Sequence, residues 1–420
     1  MRILSLRSYC YPEVIASSHL TDDLMEAYMA EGDITQVAFA PYPSRGVSDE
    51  VRKEYSTTKR HEILEGGKRE IHRFPLFREP KNSLLRAFRY TLNIMKLTWH
   101  GLRAKDVDIL YISSTPPING LMMAVLKKFK KIKIVYNLQD IFPETLVYAG
   151  MTKKNSLIWK IGRVVENITY KSADRIIVIS EDFKKNIMEK GVPEDKIEII
   201  YNWVDENKVV NVDRENNILF DKYNLDRNKF YICYSGNIGL SQNMEMLTEV
   251  AKSLEDNEDI GFVIIGEGAF KEKLIDIIEK KEIKNITVLP FQDYSDISHV
   301  FSLGDAGLII SKKGIGNNSV PSKTWSIMSA SRPVLASFDK GSEFDSIITN
   351  NNCGVCVEAD DAEALKKAIL DMYENRDEIK KMGENGRNFI LANLTKKIGT
   401  GKIISVLRRV CAEDKKTEDK

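Results

Sequence analysis

The segment from residue 314 to residue 337 combines a loop of glycine, asparagine and serine with a helix-forming stretch and a strand-like end. The hydroxyl groups of this loop can donate hydrogen bonds, and its lysine supplies a positive charge. A loop that opens a helix also presents unpaired backbone N–H groups at the positive end of the helix dipole. The segment predicts a site for a phosphate or diphosphate, and the alternative is an ordinary capped helix with a surface lysine. The residues expected at the site are Ser319, Val320, Pro321, Ser322 and Lys323.

Three further turns follow strand-like segments in the same half of the chain. Glycine in such a turn lets a ligand approach the backbone closely. Because the carboxyl ends of parallel strands meet at one edge of a sheet, we expect all these turns to face one crevice. Their residues are Gly236, Asn237, Ile238 and Gly239 in the first turn, Gly266 and Glu267 in the second, and Phe291 and Gln292 in the third.

Two carboxylates, Asp140 and Glu144, follow a strand-like segment in the first half of the chain. A carboxylate in such a place can orient a hydroxyl group of a substrate. The alternative interpretation is that these two side chains cap a loop and carry surface charge.

The chain has 420 residues, which is long enough for two domains with separate cores. Hydrophobic residues make up 43%, as in a globular protein, and the net charge of +1 gives no indication of a nucleic-acid partner. No signal peptide is recognisable after Met1, and no apolar run approaches the roughly 18 residues that cross a bilayer. We therefore expect a cytoplasmic protein.

Five cysteines are scattered along the chain, and Cys353 and Cys356 form a C-x-x-C pair. Such a pair supplies only half of the ligands that a structural zinc ion needs, and no second pair lies nearby. The segment 353–357 also has the pattern of a buried strand, and this interpretation is the stronger one.

Strand-like apolar runs alternate with helical patterns in both halves of the chain, which is typical of parallel α/β sheets. A polar stretch rich in Asn, Asp and Lys separates the halves. We predict an α/β fold of two Rossmann-like, doubly wound domains that face a central cleft, the default place for a ligand. The predicted parts are an N-terminal domain over residues 1–205, a linker region over 206–229, a C-terminal domain over 230–395, and a helix with a charged, disordered tail over 396–420.

Two segments of the N-terminal half combine apolar residues with basic ones. In the first, apolar residues recur every three or four positions, with Arg86, Arg89 and Lys96 beside or behind them. In the second, the apolar run 121–126 precedes four lysines around Phe129. The pattern suits an anionic membrane surface, and the alternative is an apolar face on the sheet with a solvated basic rim. The apolar residues of the first segment are Leu85, Phe88, Leu92, Met95 and Trp99.

The turns described above occur in the order GNIG, IGEG, PFQD and SVPSK, followed by SRPVLA. In this order they resemble the C-terminal half of the GT-B glycosyltransferases of family 4, in particular the bacterial branch that transfers sugars during O-antigen and capsule assembly. In the first half, DIFPE at residues 140–144 resembles the D-x-W-P-E of that branch, and ADRIIVIS at 173–180 resembles its ADxIIxxS. The resemblance covers residues 1 to about 400.

The resemblance implies a metal-independent, anomer-retaining transferase that needs no cofactor beyond its nucleotide-sugar donor. It implies a UDP-linked sugar, with N-acetylated amino sugars and deoxy sugars as the candidates, and a lipid-linked or glycan acceptor at the inner face of the cell membrane. Lys323, Asp140 and Glu144 are the implied catalytic residues. The turns 236–239 and 319–323 would hold the diphosphate, and the other two turns would lie near the nucleoside.

This sequence also departs from the family pattern. Asn237 and Gln242 stand where relatives carry two cations, so we expect Lys323 to bear more of the diphosphate charge. The paired glutamates of the family correspond to Asn318 and Ser326, and the glycine-rich loop after the first strand is absent. These departures leave two alternatives open, a sugar-nucleotide 2-epimerase on the same fold and a non-catalytic nucleotide-sugar-binding subunit.

Overall fold

The computed structural model describes residues 1–13, 18–80, 82–148, 150–316 and 320–418. The chain divides into two compact units, one formed by Met1–Tyr201 with Gly399–Lys420 and the other by Asn202–Ile398. Each unit contains its own β-sheet, and helices alternate with the strands along the chain. The two Rossmann-like domains predicted from the sequence are therefore present.

The first unit is built on an eight-stranded sheet. Its strands are β1 (Arg2–Leu6), β2 (Thr35–Pro41), β3 (His61–Leu64), β4 (Arg69–Phe74), β5 (Ile109–Ser113), β6 (Lys133–Leu138), β7 (Arg175–Val178) and β8 (Ile197–Ile199). They lie in the order β3-β4-β2-β1-β5-β6-β7-β8. The chain moves outwards from β1 in both directions, so the loops after β1 and β5 flank the switch point at which such sheets bind ligands.

Helices connect the parallel strands of this unit. The helices α4 (Asn119–Phe129) and α6 (Leu157–Ser172) approach each other closely because Gly120 has no side chain, and a Cβ at this position would lie 1.7 Å from Oγ1 of Thr169. The helices are α1 (Ser18–Ala30), α2 (Asp49–Ser56), α3 (Ser83–Arg103), α4 (Asn119–Phe129), α5 (Glu144–Tyr148), α6 (Leu157–Ser172) and α7 (Glu181–Glu189).

The edge of the first sheet carries two strands that the sequence pattern did not reveal. β3 pairs antiparallel with β4, while β4 runs parallel to β2. Alternate residues of β3 are exposed, and charged or histidine residues occupy much of both strands. Because an edge strand buries little surface, its sequence need not contain the apolar run by which the central strands are recognised.

The second unit has a six-stranded sheet in which every paired strand is parallel. Its strands are β9 (Phe230–Ser235), β10 (Ile260–Ile265), β11 (Ile286–Leu289), β12 (Ala306–Ile310), β13 (Val334–Ser337) and β14 (Gly354–Val357). Their order is β11-β10-β9-β12-β13-β14. The chain therefore reverses between β9 and β12, and the loops after these two strands flank the switch point of this sheet.

Helices cover both faces of the second sheet. One core cluster contains buried side chains of β9 and β10, such as Phe230 and Ile264, together with Leu247 and Leu365 from two helices. The helices are α8 (Ile218–Lys222), α9 (Met244–Ser253), α10 (Lys271–Lys280), α11 (Ile297–Phe301), α12 (Lys323–Ser329), α13 (Glu343–Asn350), α14 (Ala362–Glu374) and α15 (Arg376–Asn393). Cys353 and Cys356 are buried free thiols, as expected for a strand.

The stretch predicted as a linker over residues 206–229 is an integral part of the second unit. It contains α8, whose Leu219 and Phe220 are 0% and 1% exposed and belong to a core cluster with Tyr231 and Val263. Arg214 adds a hydrogen bond of 2.5 Å to Asp305. The many polar residues of the stretch concealed these few anchoring side chains.

The C-terminal residues form α16 (Lys396–Glu418), of which the part from Gly399 belongs to the first unit. Leu407 and Val410 of this helix are fully buried. Arg408 pairs with Glu31 and Asp33, and Arg175 pairs with Glu413 at 2.6 Å. The prediction that the chain ends in a charged, disordered tail was therefore wrong up to Glu418, because helical structure and ion pairs continue beyond the apolar part.

Candidate active site

Lys323 lies over the turn that follows β9. A Cβ built on Gly236 would be 3.9 Å from Cγ of Lys323, so the lysine stem passes directly above this glycine. The two residues come from the two sides of the switch point, because Gly236 follows β9 and Lys323 begins the helix after β12. The structure thus brings together the lysine and the glycine turn that were predicted to share one site.

The ammonium group of Lys323 is not neutralised within the described part of the chain, where it makes neither an ion pair nor a hydrogen bond. The residue is exposed, yet protein atoms crowd its amino group enough to desolvate it partly, and this lowers its pKa. A cation without a counter-ion at the carboxyl edge of a parallel sheet is suited to an anionic ligand.

The turns after β9 and β10 are packed backbone against backbone. A Cβ on Gly266 would lie 1.9 Å from the carbonyl oxygen of Gly236, and a Cβ on Gly268 would lie 2.2 Å from that of Ile238. The backbone N–H of Ile238 donates to the carbonyl oxygen of Glu267 at 2.8 Å. The glycines of the second turn are therefore required by the contact between the two turns.

Three backbone N–H groups predicted to bind the diphosphate already have acceptors. Gly236 donates to the carbonyl oxygen of Ile265 at 3.0 Å, and Ile238 donates to Glu267. Gly239 donates at 3.1 Å to Oε1 of the Gln242 side chain. Of these bonds, only the one to Gln242 ends on a side chain that can turn away without disturbing the backbone. The amides of Gly236 and Ile238 thus hold the turn in shape.

The third turn contains one exposed residue and one buried residue. Phe291 is 73% exposed, so its ring face is open to a partner. Gln292 is 6% exposed, and its Oε1 accepts from Lys222 at 2.9 Å while its Nε2 donates to the carbonyl oxygen of Pro290 at 2.6 Å. The predicted pair therefore separates into an available aromatic ring and a glutamine that anchors the turn.

The remaining residues predicted at the carboxyl edge of the second sheet differ in whether their side chains are free to contact a ligand. Glu267 is paired with Lys271 at 2.6 Å. Ser322 precedes α12, but its side chain makes no capping hydrogen bond, so its hydroxyl is available. Val320 and Pro321 are partly exposed. Ser319 and Asn318 lie outside the described residues, and Ser326 lies on α12.

In the first unit, Asp140 follows β6, and its backbone N–H donates to Oγ of Ser114 at 3.3 Å. Ser114 follows β5, so Asp140 lies at the carboxyl edge beside the switch point of this sheet. The residue is exposed, but partial desolvation of its carboxyl group raises its pKa. Its carboxylate has no cationic partner among the residues that the structure describes, and it is thus available to a substrate hydroxyl.

Glu144 has a different environment. Its Oε1 is 2.9 Å from Nζ of Lys190, which lies at the same distance from Oε1 of Glu166. Glu166 is 5% exposed and also accepts from the hydroxyl group of Tyr170 at 2.6 Å. This network of buried charges occupies one oxygen of Glu144 and gives the residue a structural contact that the motif did not reveal.

One charged residue of the first unit is buried, which the sequence pattern did not predict. Arg89 was expected on a basic rim, but it is fully buried, and its Nε donates to the carbonyl oxygen of Phe77 at 2.9 Å. Burial raises the pKa of the nearby Glu13, while the 2.8 Å hydrogen bonds from the backbone N–H groups of Ser44 and Arg45 and the charge of Arg89 act in the opposite direction. A helical wheel alone could not have placed Arg89 inside.

A fold of two Rossmann-like α/β domains is that of the GT-B glycosyltransferases. A family model described as "Glycosyl transferases group 1" matches residues 215–389, and one described as "Glycosyltransferase Family 4" matches residues 22–208. The chain belongs to these family 4 glycosyltransferases and is an enzyme of that class.

Individual relatives agree with this assignment. The chain is 29% identical to the glycosyltransferase WbjE of Pseudomonas aeruginosa, over 82% of this chain and 86% of the relative. It is 25% identical to WcaI of Escherichia coli K12, named for colanic acid biosynthesis, over 88% of this chain and 91% of the relative.

Two solved structures share the fold. One is Anabaena HepE with UDP and glucose, which has a TM-score of 0.72 at 14% identity and covers 97% of this chain and 100% of its own. The other is sucrose-phosphate synthase from Thermosynechococcus elongatus, with a TM-score of 0.76 at 13% identity and coverage of 98% and 99%.

Proposed function

We propose that the enzyme transfers a sugar from a UDP-linked donor to a lipid-linked or glycan acceptor in the biosynthesis of a bacterial surface polysaccharide. The observation that carries the proposal is the unneutralised Lys323 over Gly236 at the switch point of the second sheet. The diphosphate group of a nucleotide sugar carries negative charge and can serve as the counter-ion of this lysine. The names of WcaI and of the HepE complex support the pathway and the nucleotide, respectively.

Lys323 would act on the leaving group. As the bond between the sugar and the diphosphate breaks, negative charge grows on the diphosphate oxygen, and a fixed ammonium nearby stabilises that charge. Gly239 and Ser322 can add hydrogen bonds, since Gly239 donates only to the Gln242 side chain and the Ser322 hydroxyl makes no cap. Phe291 offers its exposed ring to the base.

Asp140 is the residue we assign to the acceptor hydroxyl or to the donor sugar. Its carboxylate is unpaired within the described chain and lies at the carboxyl edge of the first sheet. We keep Glu144 as a second catalytic candidate, as the D-x-x-x-E motif implies, although Lys190 already occupies one of its oxygens. Retention of the anomeric configuration and independence of a metal ion belong to the same proposal.

The first unit also supports attachment to the inner face of the cell membrane. α3 turns an apolar row outwards, with Leu84 80%, Met95 63% and Trp99 50% exposed. The residues on its inner side are Arg89, Asn93, Ile94 and Leu97. The sequence pattern had left the direction of the row open, and the row faces away from the sheet.

A second apolar row on α6 extends this surface. Leu157, Ile158, Ile161 and Val164 are between 56% and 73% exposed, and α4 contacts both α3 and α6. Arg86, Lys96 and Arg103 on α3 and Lys160 on α6 accompany the two rows. Apolar rows with basic neighbours fit the headgroup region of an anionic bilayer, where a lipid-linked acceptor would reside. Within the described chain, no helix is both long and apolar enough to span a membrane.

The transfer proposal is tested by incubating the enzyme with a panel of UDP-sugars, with and without a polyprenyl-diphosphate-linked sugar. We expect release of UDP and a lengthened lipid-linked glycan only when both substrates are present. An epimerised sugar formed without acceptor would contradict the proposal in favour of the 2-epimerase. Binding of UDP without transfer of any sugar of the panel to the lipid-linked acceptor would favour the non-catalytic subunit.

A further inference from the structure

Three of the five histidines of the chain lie around the outer edge of the first sheet. His61 of β3 and His72 of β4 are direct cross-strand partners in the antiparallel register. Their imidazole rings are stacked, with centroids 4.1 Å apart and an interplanar angle of 19°. Directly opposed residues of an antiparallel pair hold their side chains on the same face of the sheet.

Glu70 completes a group of three ligand-type side chains. It lies two residues before His72 on β4, so the two share one face of the sheet. Its Oε2 is 3.5 Å from Nε2 of His72. One ligating atom each of His61, Glu70 and His72 lies within 4.8 Å of the other two. Among the described residues, no other group of this kind occurs.

The surroundings of these groups give a metal ion access and also supply a competing cation. His72 is partly exposed, and its Nε2 already faces the carboxylate of Glu70. His61 is exposed, which gives an ion a route from solvent. Glu70 also meets Arg2 at 3.0 Å, and this cation competes with a metal for the carboxylate.

We propose that His61, His72 and Glu70 bind a divalent transition-metal ion of the zinc class at the edge of the first sheet. Two imidazole nitrogens and a carboxylate oxygen are a ligand set that zinc accepts, with water in the remaining position. The three ligand atoms lie within 4.8 Å of one another, and binding would require the exposed His61 side chain to turn towards the other two. The ion would cross-link β3 to β4 and hold the edge strand in place.

This site is separate from the proposed sugar-transfer chemistry. It involves the first unit only and lies on the outermost strand pair, whereas Asp140 follows β6 on the other side of β1. Its role is therefore structural or regulatory, and its existence does not depend on the identity of the donor.

The test is a titration of the untagged full-length enzyme with zinc chloride, by calorimetry and by thermal unfolding. We expect one ion per chain and a rise in the unfolding temperature with zinc, since a ligand that binds the folded state stabilises it. His61→Ala and His72→Ala should each weaken zinc binding by roughly tenfold or more, and Glu70→Gln should weaken it too. Arg2→Gln should strengthen it, because the competing cation is removed.

His100→Gln is the matched control. This histidine stacks on Phe39 and Phe74 in the same ring cluster but is not one of the three ligands. It should leave the zinc affinity unchanged. Because His61 is exposed, its alanine variant should remain folded, and unfolding without zinc provides the check. The proposal is overturned if the enzyme binds no zinc, or if the His61→Ala,His72→Ala double variant binds it as tightly as the parent.

Discussion

Cγ of Lys323 lies 3.9 Å from the position that a Cβ on Gly236 would take, which is ordinary van der Waals contact. The two residues are 87 positions apart and come from opposite sides of the switch point of the second sheet. Their contact connects the glycine turn to the only charge proposed for the leaving diphosphate.

The glycines of the second turn should be structural. Gly266→Ala would push a methyl group into the carbonyl oxygen of Gly236, 1.9 Å away, and we expect it to lower the free energy of unfolding by roughly 1–3 kcal/mol or more. Chemical denaturation measures the change. Gly401→Ala is the control, because a Cβ at this exposed helical position would meet no neighbouring side chain or distant backbone atom within 4 Å. This substitution should raise the free energy of unfolding by about 0.5–1 kcal/mol.

An unchanged stability of Gly266→Ala would mean that the two turns do not touch as described. In that case the glycines would be better explained by a ligand that approaches the backbone, as the sequence pattern first indicated.

Asp140 and Glu144 should respond differently to removal of their charge. Asp140→Asn should lower kcat by roughly 10²-fold or more, since it removes a positioned acceptor for the proton of a hydroxyl group, and it should leave stability nearly unchanged. Glu144→Gln should instead lower the free energy of unfolding by roughly 1–3 kcal/mol, because the partly buried Lys190 loses a charged partner. Steady-state kinetics and denaturation of both variants test the contrast.

The pH dependence of transfer should reflect Asp140. Its pKa is raised by desolvation, so the carboxylate takes up a proton at a higher pH than an ordinary aspartate. We expect kcat to fall on the acidic side, beginning above the usual titration range of aspartate, and Asp140→Asn to remove this limb. An acidic limb that survives in Asp140→Asn would assign it to another group.

Substitutions of Phe291 and Gln292 should also have different effects. Phe291→Ala should raise the KM for the UDP-sugar roughly fivefold or more with little change in kcat or stability, because it removes a stacking surface of an exposed ring. Gln292→Ala should destabilise the fold, since Lys222 and the carbonyl oxygen of Pro290 lose their partner. Equal effects of both substitutions on KM would argue that Gln292 contacts the nucleoside as well.

The two outward apolar rows should mediate membrane binding. Replacing Trp99 and Ile161 by serine together should reduce co-sedimentation with anionic vesicles severalfold, whereas zwitterionic vesicles should bind poorly from the start. Leu391→Ser, on a similarly exposed residue of the second unit, is the control. Loss of self-association rather than vesicle binding in the double variant would identify the surface as a contact between copies of the chain.

Central strands were the part of the fold most accessible from the sequence. In the second sheet, the residues of β10 and β12 are all apolar or glycine, as fully buried parallel strands require, and such runs can be recognised in the sequence. β3 and β4 were missed because an edge hairpin needs no such run. The prediction of a linker over residues 206–229 was wrong because two side chains, Leu219 and Phe220, suffice to anchor a polar stretch.

The candidate site was predictable in its position but not in the state of each residue. Strand ends locate the turns, since the carboxyl edge of a parallel sheet follows from the topology. Whether Gln292 or Phe291 faces outwards, or whether Glu144 is already paired, depends on contacts with distant segments such as Lys222 and Lys190. No local pattern contains that information.

The central claim is that Lys323 binds the diphosphate of the donor, and the affinities for UDP and for uridine test it most directly. In the parent enzyme UDP should bind far more tightly than uridine. Lys323→Ala should weaken UDP binding by roughly tenfold or more while leaving uridine unchanged, and Lys380→Ala, on an exposed lysine of α15, should alter neither. A Lys323→Ala enzyme that still prefers UDP over uridine as strongly as the parent would contradict the account.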